Sequence, residues 1–245
     1  MGLLSKLFGI ESPKKDCPAK AKNNGARRNN ITCVGYSVRG KNPSTGRMKR
    51  VYVVAESTAP VEEVQRKSGL LPPYEIEGND PASYTGPTER QLAYAQKIGL
   101  SFPDDATSQD ASVFLTRYEE KRPLYAPPTP DKIVRLLIEK GIELPAYAGV
   151  YEASNLYLHN VDLEERIAFF ALRVYCSLYG KRYCLLEDAP KAERERFYEF
   201  ARKYQGDNAF VRSVFYYTGE DLPLDSCTIS KKLKAYDIAA EYFKG

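Results

Sequence analysis

The residues whose types and spacing could do chemistry are cations and tyrosines near the start of the chain. Residues 1–50 hold twelve Lys and Arg against two acids, Glu11 and Asp16; the other 195 residues hold 24 basic and 30 acidic side chains. One basic group is Lys20, Lys22, Arg27 and Arg28. A second is Arg39, Lys41, Arg47, Lys49 and Arg50, with Tyr36 and Tyr52 beside it. The chemistry open to such a set is noncovalent. Guanidinium and ammonium groups hold phosphates whatever the sequence they belong to, and aromatic faces stack bases. The charge split implies an acidic partner: nucleic acid first, an acidic protein surface second, a membrane surface third. Two plainer readings stay open, that the arm is a solvated tether and that the tyrosines are ordinary strand residues.

Catalytic chemistry finds little support. His159 is the only histidine, and no nucleophile motif stands near it. There is no Walker loop and no GxGxxG. The acid pairs Glu62-Glu63, Glu119-Glu120 and Glu164-Glu165 suit helix ends and solubility better than acid–base work. The five cysteines (Cys17, Cys33, Cys176, Cys184 and Cys227) are scattered and odd in number, which fits reduced thiols. The expectation is a non-enzymatic protein with no cofactor and no metal.

The elements that must position the basic groups follow from the pattern. Residues 1–30 read as a short amphipathic start (Leu3, Leu4, Leu7, Phe8, Ile10) and a flexible basic linker. Residues 31–78 read as a ββαβ domain: two β-branched runs around an Asn-Pro-Ser-Thr-Gly turn, a helix closed by Gly69, and a last strand near Tyr74–Glu77. Residues 79–87 are a linker, and the rest is helical. The predicted fold class is therefore α+β, a small N-terminal ββαβ domain followed by a mainly α-helical domain. No apolar run approaches the roughly 18 residues that cross a bilayer, and no signal peptide is evident. A cytoplasmic location is expected and membrane binding is not.

The helical part repeats itself. Residues 88–122 and 128–160 both follow Pro-Thr with a helical stripe, then Gly, two residues, an apolar residue and Pro, and reach Ala-Ser eight residues after that Pro. Thr88 with Gln91 and Thr107 with Asp110 read as capping boxes; Thr129 reads as the cap of the second copy, with Pro130 at the first helical position. Gly99 and Gly141 read as left-handed stops. A third copy is a candidate within 161–245, where Gly219 and Pro223 keep the spacing. Phe169, Phe170, Tyr175, Phe197, Tyr198, Phe200, Phe210, Phe215, Tyr216 and Tyr217 in the same region fall at helical spacings and read as core.

On Pro87, Thr88, Gln91, Gly99, Pro103, Thr107, Ala111 and Ser112, and again on Pro128, Thr129, Gly141, Pro145, Ala153 and Ser154, the chain resembles SAP-like helix-extended-helix modules. The same letters resemble a motif found beside helicase, nuclease and topoisomerase domains in bacteria and phage. The second copy lacks the Gln and the elbow Thr. What the resemblance implies is a DNA-binding or accessory role. Two functions are expected on this basis. One is a nucleic-acid-binding accessory protein whose arm and hairpin contact phosphates. The other is a protein-binding adaptor or inhibitor acting through the helical, Tyr-rich half.

Overall fold

The structure is a computed structural model and describes residues 27–78, 86–217 and 230–245, without the side chains of 215–217. The amphipathic start, most of the basic arm, Cys17, Cys227, and Gly219 and Pro223 of the third candidate copy lie outside the described residues.

The fold is α+β. Strand β1 (Cys33–Lys41) is central in a three-stranded antiparallel sheet of order β2-β1-β3, with β2 (Met48–Glu56) and β3 (Leu71–Gly78) at its sides. The β1–β2 turn is closed by the Asn42 N–H donating to Arg47 O and the Gly46 N–H to Asn42 O, both 2.8 Å, with Gly46 at φ 66. Only a residue tolerant of the left-handed region closes such a turn without strain. Helix α1 (Val61–Ser68) lies between β2 and β3 in the chain and ends at left-handed Gly69. Its Val64 covers one sheet face, forming a small core with Val38, Val53, Ala55 and Leu70.

The other sheet face is divided. At its base Cys33 and Val54, with Ile31 just before the strand, join the main helical core. Burial pushes the Cys33 thiol up to about 11. Towards the hairpin end the same face is open and polar.

The helices after the sheet begin with two pairs. They are α2 (Glu89–Ile98) with α3 (Ser108–Glu119), and α4 (Asp131–Glu139) with α5 (Val150–Asn160). The same bonds close both. Gly99 and Gly141 stand at φ 73 and 71. The N–H of Gly99 donates to Gln96 O and that of Leu100 to Ala95 O; Gly141 donates to Ile138 O and Ile142 to Leu137 O. The elbows turn through Ala106 N–H to Pro103 O and Ala148 N–H to Pro145 O, each 3.1 Å. Asp110 then accepts the N–H of Thr107, and Glu152 that of Gly149. Ser112 and Ser154 both donate to the carbonyl four residues back.

These partners stand 42 residues apart, whereas the two Pro-Thr pairs are 41 apart. Thr88 caps α2 in a full capping box, but Pro130, not Thr129, is the N-cap of α4. Thr129 is instead buried. Its hydroxyl donates to Ala148 O at 2.9 Å and its N–H to Asn29 Oδ1 at 2.8 Å. Helix α4 starts one residue later, and the hydroxyl finds its acceptor in the following elbow rather than in the first turn of α4.

The remaining helices build the core. Helix α6 (Leu163–Tyr179) is buried on most sides through Ile167, Ala168, Phe170, Ala171, Leu172 and Val174. Helix α7 (Lys191–Tyr204), helix α8 (Asn208–Tyr217) and helix α9 (Lys234–Lys244) pack on and around it. Edge-to-face contacts run from Tyr175 through Phe197 and Phe243, and from Phe200 to Phe210, with centroids 5.3 to 5.8 Å apart. Such pairs add directional preference to a large burial of area. Phe169, Phe170, Phe197, Phe200 and Phe210 are all buried, and Tyr175 and Tyr198 pack on this core half-buried. Among the described residues no helix is long and apolar enough to cross a membrane.

Candidate functional site

The strand register sorts the sequence-predicted site residues onto two faces. Arg39 pairs with Arg50 across the strands, Lys41 with Met48, and Ser37 with Tyr52; these share the open face. Tyr36 pairs with Val53 and Lys49 with Gly40, which places them on the opposite, α1-covered face. Tyr36 is half-buried there and packs against the small core, and burial raises its pKa. The Tyr36 and Tyr52 rings therefore do not form one platform.

All five hairpin cations (Arg39, Lys41, Arg47, Lys49 and Arg50) are exposed. Arg39 pairs with Glu75 at 3.0 Å and Arg50 with Glu77 at 3.1 Å. These side chains are about half exposed, so the ion pairs contribute little and are readily exchanged. Arg27 is exposed at the start of the described chain. Arg28 pairs with Asp105 at 3.1 Å on the first elbow. Lys20 and Lys22 lie outside the described residues.

The segment after Arg28 is pinned to the helices. The Asn29 N–H donates to Ala146 O at 2.8 Å, and Asn30 Nδ2 donates to Asp131 at 3.2 Å. Asp105 also accepts from the Tyr147 hydroxyl at 2.5 Å. Burial and that carboxylate push Tyr147 up to about 12.

Tyr52 joins the sheet to the helical part. Its ring lies across Gly35, where an added Cβ would fall 1.7 Å from the Tyr52 hydroxyl oxygen. That hydroxyl donates to Glu143 Oε2 at 2.7 Å, and burial together with this bond pushes Tyr52 up to about 12. Below it, Arg135 of α4 forms an ion pair with Glu56 of β2.

Glu143 belongs at the same time to a cleft of about 520 Å³ between α3 and α5. Gln109, Ser112 and Thr116 line one side, Asn155 and His159 the other, over an apolar floor of Val113, Leu156 and Pro145. Asn155 Oδ1 is buried and has no hydrogen-bond partner among the described residues. His159 Nδ1 lies 2.7 Å from Asn155 O, which ties it to its own helix. A second, smaller cleft of about 290 Å³ shares Gln109, Glu143 and Pro145 and runs to Arg28. The cleft was not among the sequence-predicted sites. Its one signal is a polar stripe at helical spacing on α3 (Gln109, Ser112, Thr116), away from the buried stripe.

The arrangement offers cations at the hairpin, a hydroxyl–carboxylate junction, and a polar cleft. No protein-family model, curated protein or solved structure matches this chain.

Proposed function

We propose that this protein is a non-enzymatic nucleic-acid-binding accessory protein. The observation that carries the reading is the hairpin. Five cations stand within residues 39–50 with no acid among them, and every one is exposed. Long flexible cations on a strand pair hold a sugar–phosphate backbone without reading its sequence. Tyr52, 57% exposed on the same face, is the aromatic available for stacking. Arg28 adds charge at the first elbow, and Lys20, Lys22 and Arg27 belong to the same basic arm. In this reading α2–α3 and α4–α5 are two copies of one SAP-like helix–elbow–helix unit. Their shared turns support it, and their role is to fix the sheet and the arm relative to each other.

The test is fluorescence anisotropy of the full chain on short single- and double-stranded DNA and RNA across a salt series. Affinity is expected to fall with a log–log slope of about −0.7 per phosphate contacted on single strands. Replacing Arg39, Lys41 and Arg50 together by Gln should weaken binding to all sequences alike and flatten the slope by about 2. Absence of binding to every strand at low salt sinks the proposal.

A protein-binding adaptor is the second reading, and α2 favours it. Leu92 on α2 is 50% exposed, whereas Val134, its counterpart on α4, is fully buried. An adaptor interface on that face would bind with weak salt dependence.

A further inference from the structure

We infer that the cleft between α3 and α5 is a subsite for a nucleobase bearing an exocyclic amino group. The inference rests on the nucleic-acid reading and extends it from phosphates to bases.

Three observations converge. The first is size and surface: about 520 Å³ over an apolar floor, with amide and hydroxyl side chains around it. That is the composition of a site for a small planar polar molecule. The second is hydrogen-bonding sense. The carboxylates in the lining are those of Glu120, Glu143 and Glu152. A carboxylate only accepts, so these groups call for N–H donors on the ligand. The third is charge. The one cation in the lining, Arg122, is paired with Glu120 at 2.6 Å and Glu152 at 3.2 Å. A phosphate would meet carboxylates here, while an amino-bearing base would meet acceptors. The phosphates belong instead to Arg39 and Arg50 on the open sheet face. Tyr52 on that face reaches Glu143 at the cleft, so strip and cleft are continuous. A strand laid along the sheet can turn one base past Tyr52 into the cleft.

The experiment has two arms on the full chain. In the first, adenosine, cytidine and uridine are titrated at millimolar concentration and the side-chain amide signals of Gln109 and Asn155 are followed by ¹⁵N NMR. Adenosine and cytidine should shift them several-fold more than uridine. Thr116→Phe, a change at an exposed position that fills the cleft without touching the core, should abolish the shifts. In the second arm, an oligo-dA 12-mer is compared with an abasic 12-mer of equal phosphate number. The base-bearing strand should bind about tenfold tighter, the effect of a few well-placed hydrogen bonds. Thr116→Phe should shrink that difference to what stacking on Tyr52 leaves, and leave abasic binding unchanged. The inference is overturned if no nucleoside moves the two amides, or if Thr116→Phe leaves the shifts intact. Equal binding of both strands also overturns it, and leaves the phosphate reading standing. Nucleoside shifts with no strand binding at low salt would support the cleft and defeat the nucleic-acid reading.

Discussion

Arg117 of α3 and Glu152 of α5 meet through two hydrogen bonds of 2.9 Å, Nε to Oε1 and Nη2 to Oε2, with side chains only 3% and 13% exposed. Arg117 also donates to Leu124 O and Tyr147 O, each at 3.0 Å. Glu152 at the same time caps its own helix through the Gly149 N–H. Asp110 does the reciprocal work, capping α3 and accepting the Tyr147 N–H of the second elbow at 3.0 Å. Each helix pair thus lends its capping carboxylate to the other. Removing Arg117 leaves the buried Glu152 with only Arg122, at 3.2 Å, and the Gly149 N–H. Arg117→Ala should cost about 3 kcal/mol, the low end for a broken buried pair because Arg122 remains, and the double variant with Glu152→Ala should cost less than the sum of the singles. Urea midpoints of the four chains measure this, and additive costs would show that the pair is not coupled.

The same pair sets an acid limit. Burial raises the Glu152 pKa, but the Arg117 hydrogen bonds and charge and the Gly149 N–H outweigh it, and the net direction is down from the ordinary 4.5. A carboxyl depressed in the folded state contributes stability above its unfolded value and loses it as pH falls through the folded one. The gap in stability between the natural chain and Glu152→Gln should be constant near neutrality and shrink as pH drops below about 4.5. A gap independent of pH would rule out this origin.

Much of this architecture is legible in the letters. Thr88 with Gln91, Thr107 with Asp110, and the glycines at 99 and 141 each encode a bond within three or four residues, and such bonds do not depend on the rest of the fold. The α+β order is legible for the same reason. Thr129 is not, because its partners, Asn29 and Ala148, are remote in the chain. The cleft is hidden likewise. Gln109 and Asn155 read singly as surface polar residues, and only the packing of α3 against the second elbow and α5 brings them together. Tyr36 and Tyr52 look alike in sequence, yet the register sends them to opposite faces.

An alkaline limit follows from the tyrosines. Burial, followed by the nearby carboxylates Glu143, Asp105 and Glu165 respectively, pushes Tyr52, Tyr147 and Tyr198 up to about 12 from 10. Tyr157, buried and donating to Glu165 at 2.7 Å, is raised as well. A group whose folded value is raised contributes stability in full below its unfolded value and loses it as pH climbs. Urea midpoints should therefore fall between pH 10 and 12, and Tyr157→Phe should fall less steeply. Absorbance at 295 nm should show a tyrosine fraction that ionises only on unfolding. Full titration of all tyrosines near pH 10 in the folded chain would contradict this.

Gly35 and Tyr52 make a further pair that can be separated. A methyl at residue 35 would occupy the Tyr52 hydroxyl position, so Gly35→Ala must expel the ring and break its bond to Glu143. The ring is more than half exposed and can swing away, so the loss should be about one hydrogen bond, 0.5–1.5 kcal/mol. Tyr52→Phe should cost a similar amount, and Gly35→Ala should cost almost nothing more once Tyr52 is already Ala. If Gly35→Ala costs the same in both backgrounds, ring displacement is not its mechanism.

Gly149 is where the second helix pair departs from the first, which has Thr107 at the corresponding N-cap. On an isolated helix, Thr at an N-cap is at least as favourable as Gly, because its hydroxyl accepts an orphan N–H. Here the space is taken. A Cβ on Gly149 would lie 2.9 Å from Ala126 Cβ, 3.2 Å from Pro127 O and 3.3 Å from Arg117 Nη2. The last of these is the guanidinium that holds Glu152, so the packing of the two helix pairs leaves no room for a threonine at this N-cap. Gly149→Thr should destabilise the chain by about 1–3 kcal/mol, the usual cost of overpacking. Thr107→Gly in the first pair should cost only a few tenths of a kcal/mol for the cap itself. Gly149→Thr combined with Arg117→Ala should cost less than the sum of the two singles, since one of the three close contacts is then gone. Urea unfolding of these variants and of Arg117→Ala alone reads all of this, and a stabilising Gly149→Thr would mean that the second elbow is not held as tightly against Arg117 and Pro127 as these distances require.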